Sequence, residues 1–281
     1  MSKPKIAFFD FTSCEGCQLT VLDSLQTHPE LLNVVEIVQF REAMTDTSEN
    51  YQIAFVEGSI VGQSDEERLM RIREQATIVV ALGACAHLGG VNAIRNRQSV
   101  DEAHEYVYGE TGDWYESNRR HGVPMPRRQP NDRLGRVSPM AQPIDAFIKV
   151  DAVLPGCPID REEFVRVTQQ LLQGRRPKLP DYPLCVECKL KENVCLFHRG
   201  QVCLGPVTHA GCGAICPAYG SNCEGCRGLI SNPNLNAMHD VLDEAGLTAD
   251  DVTACFTLFG TYAMMQSERQ AKRTDHVHAT S

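Results

Sequence analysis

Eight of the thirteen cysteines in this 281-residue chain lie between Cys185 and Cys226, in a glycine-rich stretch with little hydrophobic periodicity. This density constrains the fold more than any other feature. A segment that buries little apolar surface must gain stability elsewhere, and clustered reduced thiols gain it from metal. Disulfides are the competing use. An odd count, a chain large enough for its own core and an N-terminus, Met1-Ser2-Lys3-Pro4-Lys5, that reads as no export signal all argue for reduced thiols. The expectation is a cytoplasmic metalloprotein.

The remainder of the chain alternates in another way. Ile6-Ala7-Phe8-Phe9, Val34 to Phe40, Ile53-Ala54-Phe55-Val56 and Ile78 to Leu82 read as strands. Leu19, Val21, Leu22 and Leu25 give a helix face, and Ser64-Asp65-Glu66-Glu67 a helix start with an acidic first turn. A strand from Asp145 to Leu154 and a helix from Asp160 to about Leu172 complete the alternation, which predicts an α/β fold with a mostly parallel sheet. The polar stretch from about Arg97 to Pro143, with Trp114, reads as a surface excursion, and Gly174 to Pro183 as a linker. Expected domains are 1–175 around the sheet, 176–265 around the cysteine cluster, and a disordered tail over 266–281. A net charge of −9 argues against nucleic acid, and no apolar run is long enough to span a bilayer.

Cys14, Cys17, Cys85 and Cys157 each follow a strand. Ligands of open parallel sheets bind at carboxyl ends of strands, and four thiolates meeting at one edge form the usual ligand set of a 4Fe–4S cubane. Zinc or unrelated core thiols are the plain alternative. Cys185, Cys188, Cys195, Cys203, Cys212, Cys216, Cys223 and Cys226 make two further four-cysteine sites, for clusters or zinc, with Cys216-Pro217 similar to ferredoxin loops. Cys255 is left over as a spare thiol. Three clusters without an open site, and without a dinucleotide or phosphate loop, fit an electron wire whose catalysis lies in a partner.

Cys14-Glu15-Gly16-Cys17, Glu57-Gly58-Ser59, Gly83-Ala84-Cys85 and Pro155-Gly156-Cys157-Pro158 resemble the flavodoxin-like domain of nickel–iron hydrogenase small subunits. Cys195-Leu196-Phe197 through Cys203-Leu204-Gly205-Pro206-Val207-Thr208, and Gly211-Cys212 through Cys223-Glu224-Gly225-Cys226, are similar to that family's distal and medial segments. The resemblance implies a flavodoxin-like domain followed by a small, irregular, ferredoxin-like two-cluster domain. It assigns Cys14, Cys17, Cys85 and Cys157 to a proximal 4Fe–4S cluster and Cys185, Cys188, Cys195 and Cys203 to a distal one. Cys212, Cys216, Cys223 and Cys226 fall to a medial cluster. Members with export signals have His at the place of Cys185 and Pro at that of Cys216, so both departures resemble the cytoplasmic, bidirectional enzymes. The implied partners are a large subunit holding nickel and iron, and further diaphorase or electron-acceptor subunits.

The rival readings are a cluster-bearing subunit of a complex-I-like oxidoreductase, a free-standing carrier and a zinc-stabilised module. A ferredoxin-style crossover would instead give Cys216 to the Cys185 cluster. His87, His121, His198 and His209 are expected as structural groups rather than ligands. Glu15 and Glu57 are expected to cap a helix or pair with arginine, with proton relay the lesser reading. Arg127, Arg128, Arg133 and Arg136 are expected to solvate a loop.

Overall fold

The computed structural model describes residues 3–99 and 137–279, with positions 102, 106 and 120. Trp114, His121 and the four arginines from Arg127 to Arg136 lie outside the described residues. In chain order the first elements are β1 (Lys5–Asp10), α1 (Gly16–Thr27), α2 (Leu31–Val34), β2 (Glu36–Gln39), β3 (Ile53–Glu57), β4 (Ile60–Gly62), α3 (Gln63–Gln75), β5 (Ile78–Leu82) and α4 (Gly83–Leu88). There follow β6 (Val137–Gln142), β7 (Ala152–Leu154), α5 (Arg161–Leu172), α6 (Cys185–Leu190), α7 (Ile215–Ala218), α8 (Leu235–Glu244) and α9 (Ala249–Ala279).

Five strands form one sheet in the order β2-β1-β3-β5-β7, with every pairing parallel. This is the flavodoxin-like order, which reverses between β1 and β3. The strands are apolar almost throughout because helices cover both faces. Ile6, Phe8, Ile53, Phe55, Val80 and Leu82 meet Val21 of α1 and Phe164 of α5 on one face. Ala7, Phe9, Ala54, Val56, Val79 and Ala81 meet Leu69 and Ile72 of α3 on the other. In register, Asp10 pairs with Glu57 and Glu57 with Leu82, and Leu82 with Leu154. The carboxyl ends of four strands are therefore level, and their loops open on one edge.

Two expectations in this region need correction. The strand foreseen from Asp145 begins only at Ala152; Ile144–Ala146 form a 3-10 turn. Ile144 and Ile148, four residues apart, both point into the same core, which is helical rather than alternating spacing. The end of the expected excursion forms β6, paired antiparallel with β4.

The cysteine-rich segment consists of short helices, turns and a small core in which Cys203 and Cys223 pack with Leu184, Leu196 and Ala214. Helix α9 then returns to the sheet region and lies on the 3-10 segment Gly90–Arg97 and on α4. Where a disordered tail was expected from 266, the backbone continues as helix to Ala279. No glycine or proline interrupts the sequence after Gly260.

Candidate metal centres

The first cysteine set is assembled by the level strand ends. Cys14 precedes α1 and Cys17 lies in its first turn, Cys85 lies in the first turn of α4, and Cys157 follows β7. The Ala84 amide donates to the Gly156 carbonyl at 2.8 Å, which ties the second loop to the third. Two glycines make the approach possible. A Cβ on Gly83 (φ 83°) would collide with Cys17 Sγ, and one on Gly90 (φ 56°) would lie 2.9 Å from Cys85 Sγ. Glu57, 1% exposed, accepts from the Cys17 and Gln18 amides at 3.3 and 3.0 Å and so caps α1.

The four thiols interact electrostatically as one site. Burial, then the Glu57 charge, then Cys85 and Cys157, push the Cys17 thiol far above its ordinary range. Burial, followed by Cys157, Glu57 and Cys14, pushes Cys85 up to about 12. Burial, Cys14, Glu57 and Glu224 raise Cys157. Cys14 and Cys157 remain exposed at the edge.

A second set gathers around α6, which carries Cys185 and Cys188 a turn apart. Cys195 and Cys203 complete it, and all four line one apolar cavity with Leu184, Leu196, Phe197 and Pro217. A Cβ on Gly205 would lie 3.4 Å from Cys203 Sγ and 3.5 Å from Cys185 Sγ. Burial, then Cys203, Cys188 and Cys195, push Cys185 up to about 11.

The third set is Cys212, Cys216, Cys223 and Cys226. Burial pushes Cys226 up to about 12 against a backbone hydrogen bond from Cys157, with Cys212, Cys157 and Cys216 adding to the rise. Cys216 stands at the start of α7, within range for its charge to act on Cys226. Glu187 accepts from the amides of Gly211 and Ala214 at 2.8 and 3.2 Å and shapes the loop around Cys212. The third set touches both others: Cys226 senses Cys157, and the Cys223 amide donates to Cys203 Sγ at 3.3 Å.

Among the described residues, no three His, Cys, Asp or Glu side chains close on a point where a single metal ion would sit. The donor chemistry fits a larger, polycationic core. Buried thiols that raise one another ionise together only when positive charge is supplied among them. Glycine-lined approaches to Cys17 and Cys85 suit a bulky cluster.

Residues outside the sets take the plainer roles. Glu15 pairs with Arg41, and Glu57 caps a helix. Loss of water around the half-buried His87 pushes it down to about 4, with His209 and Arg227 adding to the fall. His209 Nδ1 lies 2.8 Å from the Pro180 carbonyl. His198 sits in the 3-10 turn Leu196–Arg199. Cys255 packs on α9 beside the small core of Met238, Leu242 and Val252. The sequence reading missed Arg227, Glu163 and Glu187. No motif marks them, and Glu163 reads as an ordinary acid in the first turn of a helix.

Comparison with known proteins bears on the whole chain. The family described as NADH ubiquinone oxidoreductase, 20 Kd subunit, matches residues 14–171. The sulfhydrogenase 2 subunit delta of Pyrococcus furiosus is 36% identical over 242 residues, which are 85% of this chain and 92% of that protein. A subunit of the F420-non-reducing hydrogenase vhu of Methanocaldococcus jannaschii is 34% identical over 294 residues, 95% of this chain and 98% of that protein. A chain in the crystal structure of an NAD+-reducing nickel–iron hydrogenase in the H2-reduced state superposes with a TM-score of 0.53 at 30% identity. That match covers 64% of this chain and 96% of the other.

Proposed function

The chain belongs to the NADH ubiquinone oxidoreductase, 20 Kd subunit, family, among its hydrogenase iron–sulfur subunits, and we propose that it conducts electrons through three 4Fe–4S clusters. Cys14, Cys17, Cys85 and Cys157 would hold the proximal cluster. Cys212, Cys216, Cys223 and Cys226 would hold the medial one, and Cys185, Cys188, Cys195 and Cys203 the distal one. The proposed partners are a large subunit with a nickel–iron site and further electron-acceptor subunits. This electron relay forms one domain around the sheet (1–175) and a second around the medial and distal sets (176–265).

The observation that supports this reading is a pair of contacts between the cysteine loops. Cys226 senses Cys157, and the Cys223 amide bonds Cys203 Sγ, which supports a medial cluster between the other two. When bound, each cluster accepts and releases single electrons. The chain's own residues hold the thiolates, donate amides to them and exclude water from their inner sides. The exposed Cys14 and Cys157 put the proximal edge where a partner can cover it. Among the described residues no helix is long and apolar enough to cross a membrane. Thirteen free cysteines suit a reducing compartment, which supports a cytoplasmic site.

Metal and sulfide analysis of the complex purified without oxygen tests the proposal. About twelve irons and twelve sulfides per chain are expected from three cubanes, with nickel only in the partner. Stoichiometric zinc with no sulfide would sink it.

A further inference from the structure

Arg227 is 1% exposed, among the largest side chains that the fold buries fully. Removing a guanidinium from water costs several kcal/mol, so it must be fully partnered. Its Nε donates to the Ala210 carbonyl at 2.9 Å, and Nη1 to the Pro155 carbonyl at 3.0 Å. Nη1 and Nη2 grip Glu163 of α5 at 2.7 and 2.9 Å. Pro155 stands two residues before Cys157, Ala210 two before Cys212, and Arg227 directly follows Cys226. One side chain therefore ties the loop of the proximal set to both ends of the medial set. Gly211 (φ 122°) leaves room for it: a Cβ there would run into Nη2 and lie 3.0 Å from Glu163 Oε1.

Resting on the relay reading above, we propose that Arg227, with Glu163 as its counter-charge, is a positioning residue that fixes the proximal–medial gap and biases the medial site toward its reduced state. A two-pronged arginine–carboxylate bond sets direction as well as distance, which a lysine cannot reproduce. Reduction moves one electron from the neighbouring site onto the medial one and adds one negative charge. A fixed positive charge that directly follows Cys226 and acts on Cys212 favours that state, strongly in a site shielded from water. Glu163 opposes it, and Arg166, 3.5 Å from Glu163 Oε1 and half-exposed, offsets part of that opposition. The two members of the pair thus push the medial potential in opposite directions, whereas a mere brace would not.

The test is a redox titration, followed by electron paramagnetic resonance, of the assembled complex carrying Arg227→Met, Arg227→Lys, Glu163→Gln or the double change Arg227→Met with Glu163→Leu. For Arg227→Met the medial midpoint should fall, raising its oxidised-to-reduced ratio at fixed potential about tenfold, 59 mV for one electron. For Glu163→Gln the midpoint should rise. Arg227→Lys should hold the midpoint near wild type while weakening the magnetic coupling between proximal and medial signals. The double variant replaces the ion pair by apolar groups, keeps the fold and should fall between the single variants. If Arg227→Met does not assemble, Glu163→Gln decides: an unmoved or lowered midpoint overturns the proposal. Equal shifts of one sign in both single variants also overturn it. Absence of iron and sulfide from the wild type would instead overturn the relay reading itself.

Discussion

The sheet region and the cysteine-rich region reach a fixed structure by different means. Around the sheet, two apolar layers are complete on their own: Phe8 stacks on Phe55 at 5.1 Å, and Phe55 meets Phe164 at 5.5 Å. Between Leu184 and Ile230 the small core counts Cys203 and Cys223 among its members, and its helices are only a few residues long. Such helices do not persist without outside support. The first region is held by burial of its own side chains; the second, under the relay proposal, would be held by what its thiols bind. The proximal set stands at the junction, with ligands positioned by the self-sufficient sheet. Arg227 and Glu163 join the two regions.

Stripping the clusters by oxidation and chelation should divide the molecule most sharply. Structural metal sites contribute on the order of ten kcal/mol to folding, so residues 184–230 should become open to protease and hydrogen exchange while β1, β3 and β5 stay protected. Equal protection of both regions would break the comparison. Phe55→Ala should act in the opposite place, costing about 3–5 kcal/mol through a cavity in the sheet core. Its mark is a lowered denaturant midpoint at an unchanged iron content.

Cys216→Ser should remove one corner of the medial cluster and leave a 3Fe–4S signal in the oxidised protein, without moving the sheet's unfolding transition. A changed distal signal instead would give Cys216 to the Cys185 set. The smallest effect concerns Asp151. Burial works against its ionisation, yet the Arg73 hydrogen bond at 2.6 Å, the Val79 amide and the charges of Arg73 and Lys149 hold its carboxyl below the usual range. The carboxylate form is therefore favoured by folding. Its contribution is present above the unfolded value near 3.9 and fades as pH falls through the lower folded one. Asp151→Asn should cost about 1 kcal/mol or less at neutral pH, and the difference from wild type should vanish once pH has fallen through the lowered folded value, read from urea midpoints.

Much of this was legible in residue order. Near-continuous apolar strands such as Ile53–Val56 and Ile78–Leu82 announce a doubly covered parallel sheet, because each residue must suit a buried face. The limits of legibility follow from range. Ile144 and Ile148 belong to a turn rather than a strand because of a core supplied by Ala81 and Ile72, which local alternation does not reveal. Helix α9 extends beyond the expected ordered end because a polar sequence without Gly or Pro is as compatible with helix as with coil.

What the sequence by itself determined is the chemistry available: four thiols after strands, eight more between Cys185 and Cys226, a thirteenth apart, and enough apolar strand to build one sheet. Which thiols face one another was decided only by tertiary structure. Cys17, Cys85 and Cys157 come together because β1, β3, β5 and β7 are neighbours in register, and that order is a property of the whole sheet. The Cys223 amide reaches Cys203 Sγ, and Arg227 is buried against Glu163, 64 positions away in the chain. The physical reason is desolvation. A charge or thiol acquires its character from what surrounds it after water has left, and those surroundings are contributed by residues far apart in sequence.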